Sequence, residues 1–333
     1  MHPELIKLPF LDVTVKSYGF MMVVGFLTAV WIIRRLSRDI TPDPQYITNA
    51  ALYSLIGGVV GARLFFVLHY FDSFRGDWLS VFYIWKGGLE LLGGVILAIS
   101  IIFLYLVYHK LPIRRYLDIL GIGLMAALVF GRIGCFLNGC CYGQPTDLPW
   151  GVRFPYGSFA YDSQIRPDPG RGRAEPQLKL PDEYFNGIRH DGLPHLKPLD
   201  ELTDAQRLAV TKGPYRCLKV HPTQLYSSAL AACMTGVLFL FWRRARKAGF
   251  WHTQHKLFTK PGSTFALMLI VYGCMRFPME FVRDDNPYER WSLTVSQLIA
   301  LGMILFGSAL MLLVQWMRAE KSESHRPAQN ENR

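Results

Sequence analysis

Three arginines and one glutamate stand inside long apolar stretches of this chain: Arg63, Arg132, Arg276 and Glu280. A charge at the centre of a bilayer costs on the order of 3 kcal/mol even on the lenient insertion scale, so within a membrane span each needs an inward-facing partner. Arg276 and Glu280 are spaced i, i+4 and can pair along one helical face. Arg132 has no acid in its own stretch nearer than Asp118. Arginines that converge from different helices, with too few acids to neutralise them, form an anion site, and guanidinium forks match phosphate bidentately. The abundant intramembrane phosphate is a phospholipid headgroup. Nearby, Gly57, Gly58, Gly61, Gly87, Gly88, Gly93 and Gly94 cluster in GGVVGAR and KGGLELLGG. Small residues at this spacing serve close helix packing, and the alternative is approach of backbone to a headgroup.

The elements that must position these groups follow from composition. The chain has 333 residues, 51% hydrophobic and 18% charged. Soluble domains are roughly a quarter charged, which argues against an ordinary cytosolic enzyme. The apolar content excludes a disordered chain, and six cysteines in this length exclude a disulfide-dense scaffold. A helix needs about 20 apolar residues to cross a bilayer. Seven runs qualify, at 17–35, 50–70, 89–109, 117–137, 222–242, 263–282 and 292–316. The first resembles a signal peptide in length, but Arg34, Arg35 and Arg38 follow where a small-residue cleavage site would be, so it reads as an uncleaved helix. The expected fold is an all-α polytopic membrane protein, a single transmembrane domain over 1–333.

A net charge of +11 would suggest nucleic acid in a soluble protein. Placed on the spans, it becomes an orientation signal and no nucleic-acid partner is expected. Sixteen Lys/Arg follow the odd-numbered spans, whereas the short segments on the other side carry six. The positive-inside rule puts the N-terminus outside and the C-terminus, with a disordered tail at 318–333, in the cytoplasm. The long connection over 138–219 carries 11 more basic residues. Its part at 156–220 is polar, rich in Pro and Gly and poor in helical periodicity. It reads as a solvated insertion on the outer face, and covering the site or docking a substrate is the alternative.

Residues 131–155 read GRIGCFLNGCCYGQPTDLPWGVRFP, an apolar helix running into a Gly- and Cys-rich turn. This stretch resembles the signature of the prolipoprotein diacylglyceryl transferase family. The resemblance continues in HPTQLY at 221–226, in YGCMRFPMEFVR at 272–283 and in Tyr18-Gly19. It implies a multi-pass enzyme of the bacterial cytoplasmic (inner) membrane. Its substrates would be phosphatidylglycerol and exported prolipoproteins carrying a lipobox cysteine. The diacylglyceryl group would move to the cysteine thiol, forming a thioether and releasing glycerol phosphate. By the same resemblance Arg132 and Arg276 hold and stabilise the phosphate, and Glu280 orients Arg276. Arg283 and Arg63 are secondary phosphate or structural candidates, and Asn138 and Gly143 approach the headgroup. Tyr18 and Tyr272 are hydroxyl donors or interfacial anchors. His221, preceding Pro222, is a helix cap or a catalytic group. No metal and no organic cofactor is expected, since the leaving group is already on the lipid.

The resemblance breaks at Leu92, which stands where the family's span-three motif carries a proton-handling histidine. Glu90 would point about 200° away on a helix and so does not replace it. Cys135, Cys140 and Ser227 also depart from the pattern. A thiol near two arginines can ionise without a dedicated base, and His221 and Tyr18 are substitutes. The competing readings are a silent lipid- or lipoprotein-binding relative and an anion or lipid transporter. Cys140 and Cys141 lack the paired spacing of a zinc site. A disulfide from Cys217 to one of them is expected as a hypothesis, while Cys233 and Cys274 read as span packing.

Overall fold

A computed structural model of the chain describes residues 4–8, 13–40, 43, 45–74, 78–83, 88, 90–188, 194–247, 258–288 and 293–317. The elements among them are β1 (Glu4–Leu8), β2 (Val13–Lys16), α1 (Ser17–Ser37), α2 (Gln45–His69), α3 (Leu91–Tyr108), α4 (Ile113–Asn138), α5 (Phe159–Gln164), β3 (Phe185–Ile188), β4 (Pro194–Leu196), α6 (Asp204–Thr211), α7 (Thr223–Lys247), α8 (Ser263–Val282) and α9 (Val295–Trp316). Six helices, α1, α2, α4, α7, α8 and α9, are long and apolar enough to cross a membrane. The protein is therefore a predominantly helical, polytopic membrane protein. Exposed Trp31, Leu68, Leu104, Leu305 and Leu312 give the helices outer faces suited to lipid.

The expected third span is shorter than its sequence suggested. α3 has 18 residues, about 27 Å at helical rise, against about 30 Å of hydrocarbon. Its start explains the difference, because Glu90 is extended (φ −97°, ψ 117°) and stands before the first turn. The helical-wheel placement of Glu90 is thus corrected: its carboxylate lies 3.4 Å from Nδ1 of His69, at the end of α2. α2 and α4 begin earlier than their apolar runs, since helical hydrogen bonding continues through polar residues that end a hydropathy window. The tail at 318–333 and Gly87 lie outside the described residues.

The chain divides into two compact units, one drawn from Met1–Thr28, Leu124–Phe239 and Ala266–Leu310, the other from Ala29–Gly123, Leu240–Phe265 and Met311–Arg333. In the second unit α2 and α3 meet backbone to backbone: a Cβ on Gly61 would fall 2.5 Å from the carbonyl oxygen of Gly93. The glycine cluster serves packing there. Arg63 turns all three of its side-chain nitrogens onto the chain between those helices, with Nε to the Val81 carbonyl at 2.7 Å and its terminal nitrogens to those of Ser80 (2.6 Å) and Gly88 (2.9 Å). Fully buried Asp118 accepts hydrogen bonds from the amides of Gly262 (2.8 Å) and Phe265 (2.9 Å), placing a carboxylate at the positive end of α8.

The first unit contains the residues expected to be a solvated insertion, and much of that segment is packed. Ala160, Tyr161, Ile165, Leu178 and Cys217 form a core with Tyr142, Phe154 and Val220, and a second core gathers Tyr184, Leu202 and Val210. Short helices frame them. Ser158 caps α5 by accepting from the Tyr161 amide, and Thr203 with Gln206 forms a reciprocal capping box on α6. β3 and β4 pair antiparallel. Helices of six and eight residues show too few turns for periodicity to reveal them.

Candidate active site

Every site residue expected from the sequence except Arg63 belongs to the first unit. α4 carries Arg132, Cys135 and Asn138 towards its C-terminal end. The chain then reverses at Gly139 (φ +79°) and passes Cys141 in a left-handed conformation (φ +61°) that a residue with a side chain seldom adopts. Two side chains of HPTQLY hold this turn. Thr223 donates its hydroxyl to the Cys141 carbonyl at 2.6 Å, and Gln224 donates its amide to the Cys140 carbonyl at 2.7 Å. Both are buried and close the first turn of α7 against the end of α4. Gly143 follows, its N–H bonded to the His221 carbonyl at 3.0 Å. A Cβ there would lie 2.6 Å from Cβ of His221 and 2.7 Å from that carbonyl oxygen, so the position admits only glycine without displacing backbone.

α8 supplies the opposite wall. Arg276 and Glu280 pair at 2.6 Å as the i, i+4 spacing predicts. The contact is ionic rather than a well-directed hydrogen bond, because neither of the two atoms meets hydrogen-bond geometry with a partner. Arg276 also donates to Oγ of Ser296 at 2.8 Å. Buried Glu280 is held from three further directions. Thr294 donates to it at 3.0 Å, Asn286 donates to it, and Nε of Arg283 approaches to 3.8 Å. Arg283 makes a bidentate pair with Asp285, at 2.8 and 2.7 Å. Burial works against its charge, but the Asp285 carboxylate more than offsets it and holds the guanidinium above its ordinary range.

Arg132 differs from the other two. Among the described residues it forms no ion pair, and its Nε is buried without a hydrogen-bond partner. It lies within electrostatic reach of Arg276 and Cys141. Three guanidiniums thus face two carboxylates, Glu280 and Asp285, which leaves one positive charge uncompensated at Arg132. Such a constellation binds an anion with one formal charge and gains further if that charge grows.

The remaining expected residues are placed as follows. The Tyr18 ring packs over Gly134 of α4, and Tyr18 is within electrostatic reach of Arg132. Tyr272, one turn before Arg276, is within reach of it. Asn138 lines a cavity of about 580 Å³ together with Phe154, Tyr156, Phe159, Arg166 and His195. The His221 ring faces the Tyr226 hydroxyl at 3.4 Å, and that hydroxyl accepts the Trp150 indole N–H at 2.7 Å. His221 is therefore tied into a local aromatic network. Leu92 is exposed on α3 in the second unit.

The cysteines correct one expectation. All six are free thiols. Cys217 does not join Cys140 or Cys141: it is buried in the core of the segment, where it donates to Gln164 Oε1, and burial pushes its thiol up to about 11. Cys140 and Cys141 gather with Cys135 instead, their sulfurs all within 4.8 Å of one another.

Thr223, Gln224, Ser296, Asn286 and Thr294 were not foreseen. Their work is hydrogen bonding across helices, and only the position of Thr-Gln directly after Pro222 hinted at it.

The prolipoprotein diacylglyceryl transferase family matches residues 3–313, nearly the whole chain. The chain belongs to this family. It is similar to the phosphatidylglycerol–prolipoprotein diacylglyceryl transferase of Burkholderia orbicola, 29% identical with 93% of each chain covered. The proteins of that name in Clostridium tetani and Rhodopirellula baltica are each 26% identical. The first match covers 92% of this chain and 95% of the relative, the second 95% and 75%. As a diacylglyceryl transferase family member, the chain has its paired arginine helix and its glycine turn side by side in one unit, with Arg132 on the helix that leads into the turn.

Proposed function

We infer that this protein is a membrane-bound transferase that moves the diacylglyceryl group of phosphatidylglycerol to the lipobox cysteine of a prolipoprotein. The thiol gives up its proton to water, sulfur attacks the glycerol carbon, a C–S bond forms as the C–O bond breaks, and glycerol phosphate leaves with the electron pair. The observation that carries this reading is the uncompensated guanidinium of Arg132 beside the anchored Arg276 and Arg283. The diester arrives with one negative charge and its phosphate leaves with a second, so a fixed cation stabilises the transition state more than the ground state.

In this reading Arg132 and Arg276 grip the phosphate. Glu280 positions Arg276, while Arg283 fixes Glu280 and the turn. Asn138 and Tyr272 approach the headgroup, and Tyr18 covers the site from α1. Gly143 and His221 shape the turn, and Arg63 serves structure in the second unit. The chain is a single transmembrane domain of the bacterial inner membrane, with α3 as a seventh, short span. Its N-terminus lies outside and its C-terminus in the cytoplasm, so the α5 to α6 segment sits on the outer face, where the cavity beside Asn138 is open to an incoming prolipoprotein.

The test is expression in bacteria depleted of their own diacylglyceryl transferase, with lipid-modified prolipoprotein as the readout. Modification is expected. Its absence despite correct membrane insertion overturns the transferase reading in favour of a silent lipid-binding relative, which the leucine at position 92 would then explain.

A further inference from the structure

We propose that Cys135, Cys140 and Cys141 form a metal site for a zinc-class ion, with three protein thiolates as ligands and a fourth position left for the thiol of the incoming substrate. The proposal rests on the transferase reading for the identity of that thiol, but not for the metal site itself.

The three sulfurs lie within 4.8 Å of one another. Tetrahedral zinc with Zn–S bonds of about 2.3 Å sets its sulfurs about 3.8 Å apart, so small side-chain rotations suffice to close the site. A disulfide would need two sulfurs at about 2.05 Å and would leave the third unused. Sequence spacing spoke against zinc because it considered only the adjacent pair. The helix end adds Cys135, whose carbonyl accepts from the Cys140 thiol at 3.7 Å.

The convergence is built into the backbone. Cys141 keeps its left-handed conformation because Thr223 and Gln224 grip the carbonyls on either side of its α-carbon. Such strain persists only where the surroundings over-determine it. The donor set is chemically selective, since three thiolates without histidine or carboxylate suit soft or borderline ions and disfavour magnesium and calcium. Three thiolates and a dication leave one negative charge, and the guanidiniums of Arg283 and Arg132 lie within electrostatic reach of Cys141.

A zinc ion with three protein ligands keeps an open position, and a thiol that enters it is deprotonated outright. The substrate S–H proton passes to water as sulfur coordinates. The thiolate then forms the C–S bond while the C–O electron pair departs on glycerol phosphate, and the neutral thioether, a weak ligand, leaves the metal. Proton handling at position 92 is then unnecessary.

The full chain is purified in detergent under anaerobic, reducing conditions, and its zinc is measured by mass spectrometry and by competition with a chromophoric chelator. One tightly bound zinc per chain is expected. Cys135→Ser, Cys140→Ser and Cys141→Ser should each weaken binding by about tenfold or more, whereas Cys233→Ser and Cys274→Ser should not. With cobalt as the probe, thiolate charge-transfer absorption is expected. A lipobox peptide should change the visible bands, and the same peptide with serine for cysteine should not. Failure of the wild-type chain to bind zinc, or retention of zinc by the triple serine variant, overturns the metal site. Bound cobalt that is blind to the cysteine peptide overturns the open position. None of these readouts requires transfer, so a silent protein with a metal site is distinguished from an active one without it.

Discussion

Replacing Arg132 with alanine should separate catalysis from folding in a way that replacing Arg276 cannot. At an effective dielectric constant of 20, a unit charge pair at 4 Å is worth about 4 kcal/mol. The phosphate gains a second charge as the C–O bond breaks, and half of that charge at the transition state makes Arg132 worth about 2 kcal/mol more there than in the bound diester. kcat should therefore fall about 30-fold from this differential alone. Loss of ground-state binding should take kcat/KM down about a thousandfold or more. Stability should hardly change, because among the described residues no carboxylate pairs with Arg132, whereas Glu280 and Asp285 pair with Arg276 and Arg283. Arg276→Ala differs. Glu280 is buried and would lose its nearest cation, at a cost of about 3–5 kcal/mol. The assay pairs transfer of radiolabelled diacylglyceryl to a prolipoprotein with thermal unfolding in the same detergent. An Arg132→Ala enzyme within tenfold of wild type, or one that loses as much stability as Arg276→Ala, would refute the uncompensated-cation argument.

Gly143→Ala should cost about 1–3 kcal/mol, since its Cβ meets the His221 backbone rather than a movable side-chain end, and a lowered melting temperature checks it. Asp118→Ala removes the acceptor of the Gly262 and Phe265 amides and should destabilise by about 1–2 kcal/mol, read by the same melt. Thr223→Val should lower transfer by leaving the Cys141 carbonyl without its hydroxyl donor, and Thr223→Ser should restore it. Equal activity of the valine and serine variants would remove the turn from the mechanism.

What could be read from the sequence was whatever depended on local spacing. Apolar runs located the membrane helices, and the i, i+4 interval located the Arg276–Glu280 pair. The absence of a nearby acid in its own stretch marked Arg132 as unusual. Contacts that depend on chain reversal were hidden. Cys135 meets Cys140 and Cys141 only because a helix ends at Asn138 and the chain turns in left-handed conformations. Thr223 and Gln224 look like any helix start until the carbonyls they hold are seen. The cores built on Tyr161 and Tyr184 were hidden for a different reason. Their aromatic residues come from separate short elements, so no periodic signal accumulates.

The imbalance at Arg132 also bears on turnover. A clamp with one cation to spare holds the departing glycerol phosphate more firmly than the diester it received, because the product carries the extra charge. Bond breaking is eased at the expense of escape, so accumulated glycerol phosphate inhibits while bond breaking still sets kcat. Inorganic phosphate should then act as a competitive inhibitor, and raised ionic strength should relieve inhibition by product before it begins to weaken lipid capture.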